Sequence, residues 1–521
     1  MLNIVNSRDG LAAWRLLEFL SDRTPWQRSL WGVGVVLAME ELFEACVVSK
    51  QGHLSEGSIK RMASSLQKRV GVHPAFTDAE KQFLRQQVQQ IPKADGPAHF
   101  GVRELSERVS MDYLGRWGRA VATSNVAVEH FSRSVAAHLL DAGFSGAYLY
   151  EFIRSKVDAP EAITLPQLCE ALQAELFTSP RREFEVLLAF AETPAMPNGV
   201  PSSWLRGNKI TTWLQENGFS TTNVRASVAM VLKVQARDHV GAADAARGEA
   251  ERYAARSLIA TGNQLRQLPH LWVKGAPAPA PMKAASRGVG VKELFREDRV
   301  FSTEANQSVD AALELLAHLD GSSPPAAIAG GWGAIEGLLA DPSDRSSAAD
   351  NLATLVTCSF PRAELTALSY RVERQHPEAS QNLAGVTGNR DRAKAVGLMI
   401  VEGRMPALRG EVDQAAIARL KKLLDNPGPE LQTIREAIGE SFHRLYRQRN
   451  LILHGARLDS VALSASLRTV AKLAGAGMDR ITHGWYVQRL KPMEWVARAN
   501  LSFALASREE PLRCVDLLEA N

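Results

Sequence analysis

The sequence predicts a mainly α-helical protein, and three observations carry that expectation. Apolar residues recur at three- and four-residue spacing through most of the chain. Alternating apolar and polar runs bounded by Asn-Gly or Asp-Gly turns are scarce, and no repeat of solenoid period is present. One Ala/Pro-rich stretch interrupts the helical pattern and separates an N-terminal multi-helix region from a C-terminal helical bundle.

At 521 residues the chain exceeds one ordinary core, which predicts two or three domains. With 45% hydrophobic and 23% charged residues, the composition is that of a folded globular protein and not a disordered one. Cys46, Cys169, Cys358 and Cys514 lie far apart without a CxxC pair. This suits reduced thiols in a cytoplasm and argues against a disulfide framework or a zinc site. The run from Leu30 to Met39 is too short to span a bilayer and starts too late for a signal peptide, so it reads as a buried helix.

In chain order, VVLAMEELFEACVV (residues 35–48), FSRSVAAHLLDA (131–142), FEVLLAFAE (184–192) and ADAARGEAERYAARSLI (243–259) read as helices. GAPAPAPMKAASRG, Gly275 to Gly288, resists helix and sheet and reads as an extended spacer. The expected division is therefore an N-terminal helical region over 1–273, a linker over 274–300 and a C-terminal domain over 301–521. Net charge is only +4, yet Ser441–Asn500 holds ten Lys/Arg against Asp459, Asp479 and Glu494, an excess of +7. A basic block in a near-neutral chain suggests a polyanion partner, although most such excess is a solvated helical face.

Pro427-Gly428-Pro429 halts whatever precedes it, and a helix can then run from Leu431 to Leu453, with Gly455 as its left-handed stop. At about 100° per residue, Leu431, Ile434, Ile438, Phe442, Leu445, Ile452 and Leu453 share one face. Arg449 falls at the centre of that face. A guanidinium cannot shed its proton and is costly to bury alone, so it must meet a carboxylate or line a cleft that admits an anion. Asn450 and His454, four apart, share the neighbouring edge.

This local pattern, LYRQRNLILHG, resembles the R-x(4–6)-H signature of HEPN-domain ribonucleases, most closely the Apea-like group of bacterial defence proteins. Upstream, IAGGWGAIEGLL (Ile328 to Leu339) is similar to that family's earlier helix, which carries a Trp and an acidic residue; its start at Gly330-Gly331 should weaken the helix. Ile328, Trp332, Ile335 and Leu339 form its apolar stripe, and Glu336 at the stripe's edge is the natural partner of Arg449.

The resemblance implies a HEPN-type bundle over about residues 305–510 and a metal-independent ribonuclease needing no cofactor. RNA supplies its own nucleophile in the 2′-hydroxyl, so the protein needs an acid/base and cations at the phosphate. His454 would serve as acid/base, Arg449 as phosphate ligand, Asn450 as an orienting group and Glu336 as the anchor of Arg449. Arg444, Arg447 and Arg457 would follow the RNA backbone, while Tyr446 would stack on a base or pack in the core. HEPN domains commonly pair about a two-fold axis, which implies a homodimer, with Leu451 as a contact.

By the same analogy the setting would be a toxic effector of bacterial anti-phage defence acting by abortive infection, with an infection cue or partner protein read by the N-terminal region. The competing expectation is a non-catalytic helical scaffold that binds RNA or protein. No GxxxxGK[ST], HExxH or GxSxG motif is present. Arg371–His376 shares the bare spacing but ends against Pro377 and lacks the polar neighbour, Arg133–His138 lies in an ordinary amphipathic stretch, and both read as structural.

Overall fold

The structure is a computed structural model that describes residues 7–159, 163–302, 307–378, 383 and 385–519. It is mainly helical. The first helices are α1 (Ser7–Leu20), α2 (Val35–Lys50), α3 (Glu56–Gly71), α4 (Asp78–Val88), α5 (Pro97–Ser110), α6 (Tyr113–Thr123) and α7 (Val128–Asp141). After α8 (Gly146–Val157) and α9 (Leu165–Thr178) come β1 (Arg182–Phe190), β2 (Leu205–Arg206), α10 (Asn208–Glu216), β3 (Val228–Ala236), α11 (His239–Thr261), β4 (Gln267–Val273) and β5 (Ala280–Pro281). The remainder is helical again: α12 (Glu293–Arg296), α13 (Ser308–Gly321), α14 (Pro324–Leu339), α15 (Ser347–Gln375) and α16 (Asn389–Val401). Then follow α17 (Glu411–Asp425), α18 (Pro427–Leu453), α19 (Leu463–Tyr486) and α20 (Pro492–Ala504).

One boundary between the compact units, Ser286/Arg287, falls within the linker expected at residues 274–300, but the N-terminal region expected over 1–273 is divided between the two units. One unit joins Met1–His138 and Arg154–Glu170 to Arg287–Asn521; the other consists of Leu139–Ile153 and Ala171–Ser286. The expected linker is also partly built into the sheet, since Ala280 and Pro281 of β5 pair with Leu271 and His270 of β4. A proline is tolerated there because an edge strand leaves its missing N–H facing no partner.

The smaller unit holds an antiparallel sheet of order β2-β3-β1-β4-β5. Its central strand corrects the helical reading of FEVLLAFAE. Phe184, Val186, Leu188 and Phe190 pack with the alanine face of α11, and Leu187 and Ala189 pack with Ile210 and Leu214 of α10. With both faces covered, alternation is lost and the strand reads as a continuous apolar run.

In the larger unit, one apolar core gathers Trp332 of α14, Leu352, Val356 and Phe360 of α15, Phe442 and Leu445 of α18, Val470 of α19 and Trp495 of α20. Complete burial of each such side chain contributes roughly 1.5–3 kcal/mol. Trp31, from the segment before α2, joins this core. Gly330 permits the approach of α13 to α14: a Cβ there would lie 2.7 Å from the Leu315 carbonyl oxygen. The glycine that should weaken α14 is thus needed by packing.

Buried ions fasten the N-terminal helices to the later ones within this unit. Arg15 of α1 donates to Glu129 of α7 at 2.8 and 3.0 Å. Arg28 donates to Glu364 of α15 and Asp413 of α17, both at 2.9 Å. Arg419 of α17 reaches Glu364 at 3.2 Å and Glu129 at 3.4 Å. The guanidiniums around Glu129 hold its carboxyl well below the usual range despite burial. Removing one member of such a buried pair costs about 3–5 kcal/mol, because the other charge is left alone.

Candidate functional site

Helix α18 positions most of the sequence-predicted residues. Pro427 at its first turn starts it, and its last helical residue is Leu453, as the apolar periodicity predicts. Its end differs from expectation: the left-handed residue is Ala456, at φ 50°, and not Gly455. Glycine is required at 455 for space, since a Cβ there would sit 2.8 Å from the Leu451 carbonyl oxygen. The Gly455 and Arg457 amides both donate to that carbonyl, at 3.1 and 3.0 Å, which closes the helix and leaves His454 at its C-cap.

Arg449, Asn450, His454 and Glu336 come together. The Arg449 Nη1 group donates to Asn450 Oδ1 at 3.0 Å and to His454 Nε2 at 2.9 Å. Its Nη2 lies 3.8 Å from Glu336 Oε2, and the two side chains retain 17% and 18% of their exposure. His454 is exposed. The guanidinium is therefore neither sealed in the core nor fully in water; it stands at a solvent-reached rim, charged and only loosely countered. Because guanidinium only donates, His454 Nε2 is the acceptor in the 2.9 Å contact.

Glu336 is fixed from its own helix. The Trp332 indole N–H, one turn earlier, donates to its Oε2 at 2.5 Å, and Arg345 approaches Oε1 at 3.2 Å. Arg345 carries no sequence signal, since its relevance depends on the chain folding back after α14. Ile328, Trp332, Ile335 and Leu339 are all buried, so the stripe read from the sequence sets which edge Glu336 occupies.

Three of the expected RNA contacts are corrected. Arg444 and Arg447 are buried and bind the carboxylate of Glu41 on α2: Arg444 Nε reaches Oε2 at 2.9 Å, and Arg447 Nη2 reaches Oε1 at 2.9 Å. The two guanidiniums hold the Glu41 carboxyl down to about 2, although burial alone would raise it. These arginines therefore lock α18 onto α2 and cannot follow an RNA strand. Arg457 is partly exposed but donates to Glu44 and Asp459, both at 3.1 Å. The cleft it lines sets Glu40, Glu44 and Glu107 against Arg103 and Arg457, a net negative lining that does not favour phosphate.

Tyr446 packs against Trp332, ring centres 4.9 Å apart, so the packing role fits and base stacking does not. Leu451, expected at a dimer contact, is buried. Leu453 and Leu458, on either side of His454 in the sequence, are exposed. The two rival spacings are engaged elsewhere: Arg133 pairs with Glu129 at 2.6 Å, and His376 Nε2 contacts the Ala407 carbonyl at 2.9 Å.

No group of three or more His, Cys, Asp or Glu suited to a metal ion occurs among the described residues, and none of their helices is long and apolar enough to cross a membrane. No protein-family model, curated protein or solved structure matches the chain.

Proposed function

We propose that the protein is a metal-independent endoribonuclease of HEPN type, with its C-terminal bundle as the nuclease domain and Arg449, Asn450, His454 and Glu336 as its site. The carrying observation is the rim geometry: a permanent cation hydrogen-bonded to an exposed imidazole, with a carboxylate 3.8 Å away. A phosphodiester entering this rim would offer Arg449 two non-bridging oxygens in place of Asn450 Oδ1 and His454 Nε2. A bidentate Arg–phosphate pair is stronger than the neutral contacts it replaces. The exchange frees Nε2 to accept the 2′-hydroxyl proton while O2′ bonds to phosphorus and the bond to O5′ breaks. Arg449 then faces the charge that grows on the phosphorane oxygens.

The departing O5′ needs a proton, and one His454 cannot both take and give within one step. A second copy, contributing its own His454 as the protonated imidazolium across a two-fold axis, would supply it, so that one ring takes a proton and the other gives one. The exposed Leu453 and Leu458, on either side of His454 in the sequence, suit such a contact, in place of Leu451. In this reading the N-terminal helices and the sheet unit restrain or direct the nuclease, and the cellular role is a toxic defence effector.

One set of observations favours a second reading, a non-catalytic scaffold. Of the basic excess in residues 441–500, Arg444, Arg447 and Arg457 are consumed by Glu41, Glu44 and Asp459, which leaves less charge for a polyanion than the sequence suggests. The two readings separate in one assay: purified protein with mixed RNA in excess chelator, beside Arg449→Ala and His454→Ala. Chelator-resistant cleavage abolished in both variants is expected. Equal cleavage by all three proteins would refute the site.

A further inference from the structure

The chemistry assigned to His454 needs two proton-carrying groups, and the larger unit sets a second imidazole next to the first. A Cβ on Gly455 would lie 3.5 Å from His53 Cδ2. The His53 ring therefore stands against the backbone of the residue that directly follows His454. It is half-buried and makes no hydrogen bond or ion pair among the described residues. Other histidines of this unit are committed: His73 to the Tyr113 hydroxyl at 3.0 Å, His99 to the Phe43 carbonyl at 2.9 Å, His443 to Asp350 at 2.9 Å and His483 to Glu293 at 2.6 Å.

The placement of His53 follows from the ion pairs that took Arg444, Arg447 and Arg457 away from RNA. Before His454, Arg444 and Arg447 hold Glu41 of α2. After it, Arg457 and Ser460 hold Glu44 of the same helix, at 3.1 and 2.7 Å. Helix α2 is thus fastened to the chain on both sides of His454, which brings its C-terminal turn to the site. That turn is closed by its own bonds. Gly52 adopts φ 82°, a conformation that glycine accepts without strain. The His53 amide donates to the Val48 carbonyl at 3.2 Å, and the Ser49 hydroxyl donates to the carbonyl of buried Leu54 at 3.0 Å. A side chain on such a turn is already oriented when a substrate arrives.

We propose that His53 is the second acid/base group of the nuclease and gives its proton to the departing O5′. This rests on the ribonuclease reading above, and it puts within one chain the donor which that reading takes from a second copy. His454 accepts the 2′-hydroxyl proton while O2′ bonds to phosphorus. The bond from phosphorus to O5′ breaks, and O5′ keeps the electron pair and receives the proton of the His53 imidazolium. The products are a 2′,3′-cyclic phosphate and a 5′-hydroxyl. His454 is left protonated and His53 neutral, and proton exchange with water restores both. Histidine suits either task because it ordinarily titrates near neutral pH.

The test uses full-length wild type, His53→Ala, His53→Gln and His454→Ala, each shown to be folded by circular dichroism. All are assayed in excess EDTA on a short RNA and on the same RNA with sulfur in place of O5′ at the cut. A thiolate leaves without a proton, so the sulfur-bridged RNA needs a base but no acid. On ordinary RNA both His53 variants should be slower than wild type by about 10²- to 10⁴-fold. On sulfur-bridged RNA they should come within about tenfold of wild type, while His454→Ala stays slow on both. Cleavage of ordinary RNA by both His53 variants within about threefold of wild type, with His454→Ala inactive, overturns the role of His53 and leaves the ribonuclease reading standing. An equal loss on the two RNAs would mark a group that binds or folds, and overturns it as well. No cleavage of either RNA by wild type overturns the ribonuclease reading and the role of His53 together.

Discussion

Glu41→Gln isolates what fixes helix α18. Glu41 is fully buried and accepts from two guanidiniums, Arg444 and Arg447, at 2.9–3.2 Å. Its carboxyl is carried from 4.5 down to about 2, with the two guanidiniums outweighing desolvation. That difference corresponds to about 3 kcal/mol of folding free energy at neutral pH. Glutamine keeps the shape and removes the charge, so two buried cations lose their shared counter-ion, with Glu440 still 3.9 Å from Arg447; breaking such a buried pair typically costs about 3–5 kcal/mol. The folded value lies below the unfolded one, so this stabilisation is complete above about pH 4.5 and disappears as pH falls towards 2. Urea unfolding followed by circular dichroism, at pH 7 and near pH 3, measures it. Glu41→Gln should be less stable by about 3 kcal/mol at pH 7, and the gap should narrow in acid. A variant within about 0.5 kcal/mol of wild type at pH 7, or a gap indifferent to pH, would refute the reasoning.

Gly330→Ala should destabilise by about 1–3 kcal/mol, because the new methyl meets the Leu315 carbonyl at 2.7 Å. Gly337→Ala on the same helix meets nothing within 4 Å and should stabilise by up to about 1 kcal/mol, so thermal unfolding of the pair separates packing from propensity. The four thiols are buried, and desolvation pushes Cys46 up to about 11 and Cys169, Cys358 and Cys514 up to about 12. Ellman's reagent should therefore find no fast-reacting thiol in the native protein and all four in denaturant; a fast native thiol would contradict the burial.

Local spacing carried much of this structure. The C-terminal limit of α18 follows from the apolar period, although the helix starts at Pro427, four residues before the expected Leu431, and the edge position of Glu336 follows from Trp332 and Ile335. The conjunction of Arg449, Asn450 and His454 needs only helical geometry and a cap, so it too was legible. What failed was non-local. Nothing near Arg444 or Arg447 in sequence reports that Glu41, about four hundred residues earlier, closes on both. A basic count therefore overstated the charge available to a polyanion. The β1 run deceived for a related reason: α10 and α11 cover both faces, which erases the alternation that marks a strand. The Ala/Pro stretch contains one unit boundary, Ser286/Arg287, yet the larger unit takes segments from both sides of it.

The most direct test of the central claim reads the ends of the RNA. A short RNA cleaved by the protein in excess EDTA should yield a 2′,3′-cyclic phosphate and a 5′-hydroxyl, and a single 2′-deoxynucleotide at the cut should block that scission. Products ending in 5′-phosphate, or unimpeded cutting at the 2′-deoxy position, would show that the 2′-hydroxyl is not the nucleophile and would contradict the role assigned to His454.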